Sequence, residues 1–287
     1  MLLANVTEPA ALSALGAIDF NWVVRLKDVW VDNELDIADL HAGLRQGFSQ
    51  KLADIHRNRD LPILGWPIVG AGGSGKTHLL GEFRRIAIAS QAAFVLIDMT
   101  DVRDVWETVL QGYLDSLQQE VAPSLTQQEL LLQRLITRLY REPIERVMGV
   151  LAKASPHSLR ENTTQLLEKL QKTYRREVLR HQDVIRAIFC LNSNTLETQS
   201  LGYAWLQGQP LDAGLRRELG FYRDAVAPSE ILQGLAWYMS LSGPTVVAFD
   251  QLDPIVQQIG FEDRQHGDEL EQAASSSIVK QIGNCFA

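Results

Sequence analysis

Residues 70–77, with the sequence GAGGSGKT, have the residue types and the spacing of a phosphate-binding loop: a glycine, four residues, and then Gly-Lys-Thr. A phosphate group must be approached by several backbone N–H groups at once, and side chains at Gly72, Gly73 and Gly75 would crowd it. The loop residues predicted to surround the phosphates are Gly70, Gly72, Gly73, Ser74 and Gly75.

Lys76, Thr77 and His78, which follow Gly75, predict the rest of a nucleotide–Mg²⁺ site. A helix that starts near Gly75 points its positive end and its N–H groups at the same phosphates. Lys76 supplies an ammonium group to the β and γ phosphates, and Thr77 supplies a hydroxyl to Mg²⁺. His78 can lie near the phosphates, or it can serve in packing or helix capping. The alternative for the whole stretch is a glycine-rich turn between a strand and a helix.

A second chemical signal is the stretch TVVAFDQLD at residues 245–253, where an apolar strand ends in an acid. In proteins with a phosphate-binding loop, a second strand presents an aspartate to Mg²⁺, mostly through water. Asp250 fits that role. The alternative is a strand that ends in a turn-forming aspartate.

The elements that must position these residues are short apolar strands and amphipathic helices. Strands are predicted at 63–69, at 92–98 ending in Asp98, and at 245–249; such continuous apolar runs suit a parallel sheet buried on both faces. A helix is predicted from Asp36, which can cap it. The stretches 102–119, 126–143, 158–191 and 228–242 show helical spacing of apolar residues, and the glycine-rich stretch 202–221 is predicted to be a loop.

Together, GAGGSGKTHLL at 70–80 and VVAFDQLD at 246–253 resemble the AAA+/STAND branch of P-loop ATPases. The likeness is greatest to the origin-recognition-type ATPase modules of large bacterial regulatory and phage-defence proteins. The resemblance implies an ATP site with Lys76 on phosphate and with Thr77 and Asp250 on Mg²⁺. It also implies a second acid that polarises the attacking water.

The position of that second acid departs from the AAA+ pattern, because the residue after Asp250 is Gln251. A glutamine amide can orient a water molecule but cannot act as a general base at neutral pH. The STAND-like pattern tolerates a later acid, which Asp253 matches. Two alternatives follow: slow hydrolysis that depends on Asp253, or a binding-only regulatory or assembly module that holds ATP without turnover.

The resemblance also implies a fold, an α/β P-loop NTPase of the AAA+ type. Its sheet has five parallel strands in the order 5-1-4-3-2, and only the first three have candidates here, so we expect an incomplete sheet with a large helical insertion. The strands ending at Asp98 and Asp250 should be neighbours. We expect the N-terminal part of a longer ATPase, whose partners are the rest of a longer polypeptide or an oligomer.

The predicted segments are 1–60, an N-terminal linker and helix; 61–100, the P-loop strand, its helix and the second strand; 101–243, a mostly helical insertion; and 244–287, the strand that ends at Asp250 (the Walker B strand) and a C-terminal helix.

Composition sets the remaining bounds. The 287 residues are 46% hydrophobic and 22% charged, with a net charge of −8, which argues against a surface that wraps nucleic acid throughout. The basic stretch 172–181 is the candidate for a nucleic-acid contact. Arg216, Arg217 and Arg223 could also contact phosphate or nucleic acid, but Glu218 and Asp224 interleave with them and favour a solvated face. Cys190 and Cys285 form neither a disulfide framework nor a metal-binding spacing. We find no signal peptide and no apolar run long enough for a membrane, and we expect a cytoplasmic protein.

Overall fold

The computed structural model describes residues 26–31, 41–58, 65–140 and 156–252. A 3₁₀ helix at Leu26–Trp30 precedes the longer elements. The described helices are α1 (Ala42–Arg57), α2 (Lys76–Ala89), α3 (Val105–Gln118), α4 (Gln127–Tyr140), α5 (Pro156–Gln171), α6 (Arg175–Leu191), α7 (Leu196–Leu206), α8 (Ala213–Leu219) and α9 (Pro228–Ser242). The described strands are β1 (Ala93–Asp98), β2 (Glu120–Ala122), β3 (Leu125–Thr126) and β4 (Thr245–Asp250). The chain is therefore a mixed α/β protein that is mostly helical.

The parallel sheet consists, within the described residues, of β1 and β4. Their register runs from Ala93 opposite Thr245 to Asp98 opposite Asp250, so both strands end at the same edge of the sheet. The prediction that Asp98 and Asp250 lie on adjacent strands is confirmed. The 146 positions from 99 to 244, most of them helical where described, are thus inserted between two paired strands.

The edge of β1 that faces away from β4 is closed by two helices. Gln127 of α4 accepts a hydrogen bond from Phe94 N and donates one to Phe94 O, each of 2.8 Å. Ser116 Oγ of α3 accepts a hydrogen bond from Leu96 N at 3.0 Å. Because buried backbone groups must be hydrogen-bonded, these two side chains take the place of a further strand.

The sheet separates two apolar cores, because successive strand residues point to opposite faces. A smaller core contains Phe94, Leu96 and Ala248 together with Leu79 and Phe83 of α2. A larger core contains Val95 and Ile97 together with buried residues of helices α3 to α9. Helix α2, which follows the glycine-rich loop, therefore packs on one defined face of the sheet.

The strand predicted at 63–69 is not found over its described part, since residues 65–71 form neither helix nor strand. Pro67 lacks a backbone N–H and would weaken a strand there. The segment is held by an aromatic contact instead: the Trp66 ring stacks on Phe83 with centroids 6.0 Å apart. The prediction for this strand is therefore wrong at residues 65–69.

The helix predicted from Asp36 begins later, at Ala42, because His41 has a left-handed backbone with φ 59° that interrupts a helix. Asp36 itself lies outside the described residues. The stretch 158–191 contains two helices, with a break at residues 172–174. The glycine-rich stretch 202–221 is not one loop, since it includes the end of α7 and all of α8. Asp212 caps α8 by accepting hydrogen bonds from Gly214 N and Leu215 N.

The hairpin of β2 and β3 was not predicted from the sequence. Pro123 and Ser124 form its turn, and Ser124, with φ 57°, donates its backbone N–H to the Glu120 carboxylate at 2.6 Å.

None of the described helices is long and apolar enough to cross a membrane. The C-terminal helix predicted within the segment 244–287 falls on residues after 252, which lie outside the described residues.

Candidate phosphate-binding site

The glycine-rich loop has the backbone that its glycines allow. Gly73 and Gly75 have φ values of 74° and 84°, in the left-handed region where other residues are disfavoured. A Cβ atom at Gly72, Gly73 or Gly75 would meet no other protein atom within 4 Å, so the space beside the loop is open. At Gly70 a Cβ atom would lie 2.6 Å from Ser74 Oγ, which shows how tightly the loop closes.

Helix α2 starts at the end of this loop. Its N-cap residue is Gly75, which has no side chain to bond the N–H groups of the first turn. The first N–H groups of a helix have no partner within the helix, and together with the helix dipole they attract anions. The open space, the left-handed glycines and the start of the helix therefore coincide at one place.

Lys76 reaches back across the loop. Its Nζ donates hydrogen bonds to Gly70 O at 2.8 Å and to Ala71 O at 3.1 Å. An ammonium group has three donors, so one donor remains for a ligand. These contacts hold the positive charge next to the open space.

Thr77 and Asp250 come together although 173 positions separate them in the sequence. Thr77 Oγ1 donates a hydrogen bond to Asp250 Oδ2 at 3.2 Å. Asp250 is 8% exposed, and its other oxygen, Oδ1, accepts a hydrogen bond from Gln251 N at 2.9 Å. A hydroxyl and a carboxylate are both oxygen ligands of the kind that Mg²⁺ accepts.

Within the described residues, no group of three or more histidine, cysteine, aspartate or glutamate side chains could hold a metal ion. Mg²⁺ usually keeps several waters and binds through one or two carboxylates together with phosphate oxygens. The Thr77–Asp250 pair contains one hydroxyl and one carboxylate of this kind.

Gln251 directly follows Asp250, but its side chain lies next to Thr100, which follows β1. Its φ is 60°, and its Oε1 lies 2.9 Å from Thr100 Oγ1, beyond the end of β1. Thr100 in turn donates its backbone N–H to Asp98 Oδ1 at 2.9 Å, and its hydroxyl also bonds that oxygen. Sequence reasoning used Asp98 only as the end of a strand and did not consider Thr100. The one available signal was that β1, like β4, is an apolar strand that ends in an acid.

His78 contacts its own helix. Its Nε2 lies 3.7 Å from Glu82 Oε1, one turn further along α2, and Arg45 Nη1 of α1 binds Glu82 Oε2 at 3.0 Å. This contact within the helix fits the packing role that the sequence offered for His78 as the alternative to a phosphate contact. The phosphate contact of His78 stays a prediction. Asp253 lies outside the described residues, so its predicted catalytic role also stays a prediction.

The basic stretch 172–181 is partly used in packing. His181 is buried and its ring lies 5.9 Å from that of Trp237, while Arg180 Nη2 donates a hydrogen bond to Gln233 Oε1 at 2.7 Å. Burial, followed by the charges of Arg180 and Arg223, lowers the pKa of His181. Contact of this stretch with nucleic acid stays a prediction.

No protein-family model, no curated protein and no solved structure matches this chain.

Proposed function

We propose that this chain binds ATP together with Mg²⁺ as an ATPase module of the AAA+/STAND type, through the loop at 70–77 and the end of β4. The observation that carries the proposal is the 3.2 Å hydrogen bond between Thr77 and Asp250. Two distant motifs that the sequence assigns to one metal ion lie in contact. A chance glycine-rich turn and a chance strand end would have no reason to meet in this way.

Each part of the site has a role in this proposal. The backbone N–H groups of the loop and of the first turn of α2 bind phosphate oxygens, and Lys76 neutralises their charge. Thr77 and Asp250 hold Mg²⁺, directly or through water. The choice of ATP among nucleoside triphosphates comes from the family resemblance, whereas the phosphate and Mg²⁺ contacts are supported by the geometry.

The arrangement of the strands also supports an AAA+ type of sheet. In the order 5-1-4-3-2 the second and third strands are neighbours, and the second strand is at an edge. Here β1 pairs with β4, and the other edge of β1 is closed by Gln127 and Ser116. These two strands therefore fit the second and third positions of that order.

Binding of a fluorescent ATP analogue tests the proposal. Replacing Lys76 by alanine removes charge-assisted hydrogen bonds worth about 1.5–3 kcal/mol, so the dissociation constant should rise by about tenfold to a hundredfold. Lys51→Ala removes the same charge from an exposed position of α1 and should leave the affinity unchanged. The circular dichroism spectrum and the melting temperature of Lys76→Ala should match those of the unmodified protein. Equal affinity in both variants would remove the phosphate-binding role from this loop.

Hydrolysis is a separate question, and we propose that it is slow. Gln251 cannot take a proton from water, and its side chain is placed toward Thr100. The alternative is a binding-only regulatory or assembly module, which the same glutamine favours. Release of inorganic phosphate at saturating ATP and Mg²⁺ separates the two: slow release supports a hydrolase, and binding without release supports the alternative.

A further inference from the structure

The carboxyl edge of the sheet carries a second acid beside the proposed magnesium ligand. Asp98 is the register partner of Asp250, and neighbouring strands lie about 4.8 Å apart. Phe94 and Leu96 face the smaller core under α2, and alternation along β1 places Asp98 on that same face. Asp250 shares this face, since it bonds Thr77 of α2.

The two acids differ in their surroundings. Asp250 is buried, and both of its carboxylate oxygens accept hydrogen bonds from protein groups. Asp98 is exposed, and both of the hydrogen bonds that it accepts within the described part of the chain go to Oδ1, from Thr100. Within the described part of the chain, the second oxygen of Asp98, Oδ2, therefore accepts no hydrogen bond, and the residue is open to solvent on the same face of the sheet as Asp250.

Thr100 links Asp98 to Gln251. Its hydroxyl has one proton, which cannot serve Asp98 and a glutamine carbonyl at once. Both contacts form when the Gln251 amide is rotated so that its NH₂ donates to Thr100 Oγ1, a choice that heavy-atom positions leave open. The hydrogen bonds then run in one direction, from Gln251 to Thr100 and from Thr100 to Asp98.

We propose that Asp98 is the carboxylate that activates the attacking water, with Thr100 and Gln251 as the residues that position it. This inference rests on the proposed binding of ATP and Mg²⁺. The free oxygen of Asp98 accepts a proton from water while the water oxygen forms a bond to the γ-phosphorus. The bond from that phosphorus to the bridging oxygen breaks, and its electron pair stays on ADP. Inorganic phosphate and ADP leave, and Asp98 returns its proton to solvent.

With this assignment, a site in which a glutamine follows the magnesium-binding acid still has a proton acceptor. The proton acceptor comes from the neighbouring strand, and Gln251 retains only an orienting role. The main rival for the same role is Asp253, three positions after Asp250.

The test compares turnover with binding in Asp98→Asn. Asparagine keeps an oxygen that can accept the bonds from Thr100, but it cannot accept a proton, so phosphate release should fall by about a hundredfold or more. The affinity for the fluorescent ATP analogue should stay within about threefold in the presence of Mg²⁺. Asp101→Asn makes the same change at an exposed position three residues further on and should leave turnover unaltered. Asp98→Glu keeps a carboxylate and should retain measurable turnover, which separates chemistry from misfolding.

Several results would overturn the inference. Turnover that survives in Asp98→Asn but disappears in Asp253→Asn would assign the role to Asp253. A loss of affinity seen only with Mg²⁺ would make Asp98 a metal ligand. Nucleotide binding without any turnover in the unmodified protein would remove this inference and leave the binding site intact. Absence of binding in the unmodified protein would instead refute the proposed function itself.

The positioning role of Thr100 has its own measurement. Thr100→Val removes the hydroxyl that orients Asp98, so kcat should fall by about tenfold while KM for ATP stays unchanged, because Thr100 is not part of the proposed nucleotide-binding contacts. Thr100→Ser restores the hydroxyl and should restore kcat. A merely structural role would change kcat and KM together.

Discussion

At the scale of single residues, the contact between Thr77 and Asp250 makes a prediction about Mg²⁺. Thr77→Val keeps the shape of the side chain but removes the hydroxyl, whereas Thr77→Ser keeps the hydroxyl and removes a methyl group. We expect Thr77→Val to lose most of the gain in nucleotide affinity that Mg²⁺ provides, and Thr77→Ser to keep it within a few-fold. Titrations of the ATP analogue with Mg²⁺ and with EDTA measure that gain directly.

The valine variant carries a second consequence, for stability. Asp250 is 8% exposed and would lose one of its two hydrogen bonds, at a cost of about 1–3 kcal/mol in the free energy of unfolding. Denaturant unfolding of both variants checks this value. An equal gain from Mg²⁺ in the valine variant would show that the hydroxyl only bonds Asp250 and does not serve a metal ion.

The sequence predicts those residues of the site that occupy set positions within a short motif. Lys76 and Thr77 follow the loop glycines at set positions, and Asp250 ends an apolar run. Contacts between strands are not encoded in any local spacing, so the link from Gln251 through Thr100 to Asp98 was not predictable. The left-handed backbone of Gln251 also gives no sequence signal, because glutamine rarely adopts it.

At the scale of elements, Gln127 is one of the two side chains that close the outer edge of β1. Gln127 is 1% exposed and forms three hydrogen bonds: with Phe94 N, with Phe94 O and with Ser116 O. Gln127→Met preserves the side-chain volume but leaves these buried backbone groups without their partner. We expect a loss of about 2–4 kcal/mol in the free energy of unfolding. Equilibrium unfolding in urea provides the measurement.

Gln118→Met is the matched control, because Gln118 is exposed near the end of α3. Its effect should stay within about 0.5 kcal/mol. If both variants unfold at the same denaturant concentration, Gln127 does not close the strand edge, and water must satisfy Phe94 instead.

Helices and strands whose apolar residues recur at a regular spacing are predictable from the sequence. Elements that form only through contacts with another part of the fold are not. Helices α3, α4 and α9 and strands β1 and β4 follow apolar patterns that local sequence displays. Residues 65–69 have an apolar pattern as well, but Pro67 and the stacked Trp66 keep them out of a sheet. The β2–β3 hairpin has strands of three and two residues, too short to show a period.

At the scale of the whole molecule, the β1–β4 sheet lies between two cores of unequal size. The proposed nucleotide site borders the smaller core, because α2 covers that face of the sheet. The larger core joins helices α3 to α9 with the opposite face. Nucleotide that binds only the native state should stabilise both cores together if the molecule unfolds as one unit.

A buried cysteine in the larger core can report on that unfolding. Cys190 of α6 is 1% exposed, and its burial raises the pKa of its thiol to about 12. The thiolate is the reactive form, so both access and protonation protect Cys190 in the folded protein. The chain has two cysteines, and Cys285→Ser therefore leaves Cys190 as the single thiol.

We expect Cys190 in the Cys285→Ser protein to resist a thiol-reactive reagent at neutral pH until the denaturant concentration at which the circular dichroism signal is lost. ATP with Mg²⁺ should then slow labelling and move its midpoint to higher denaturant, because ligand bound to the smaller-core face stabilises the native state as a whole. Lys76→Ala should weaken that protection, so that about tenfold to a hundredfold more nucleotide is needed for the same effect, but leave labelling without nucleotide unchanged. Fast labelling in the absence of denaturant, unaffected by nucleotide, would show that the larger core opens independently of the nucleotide site.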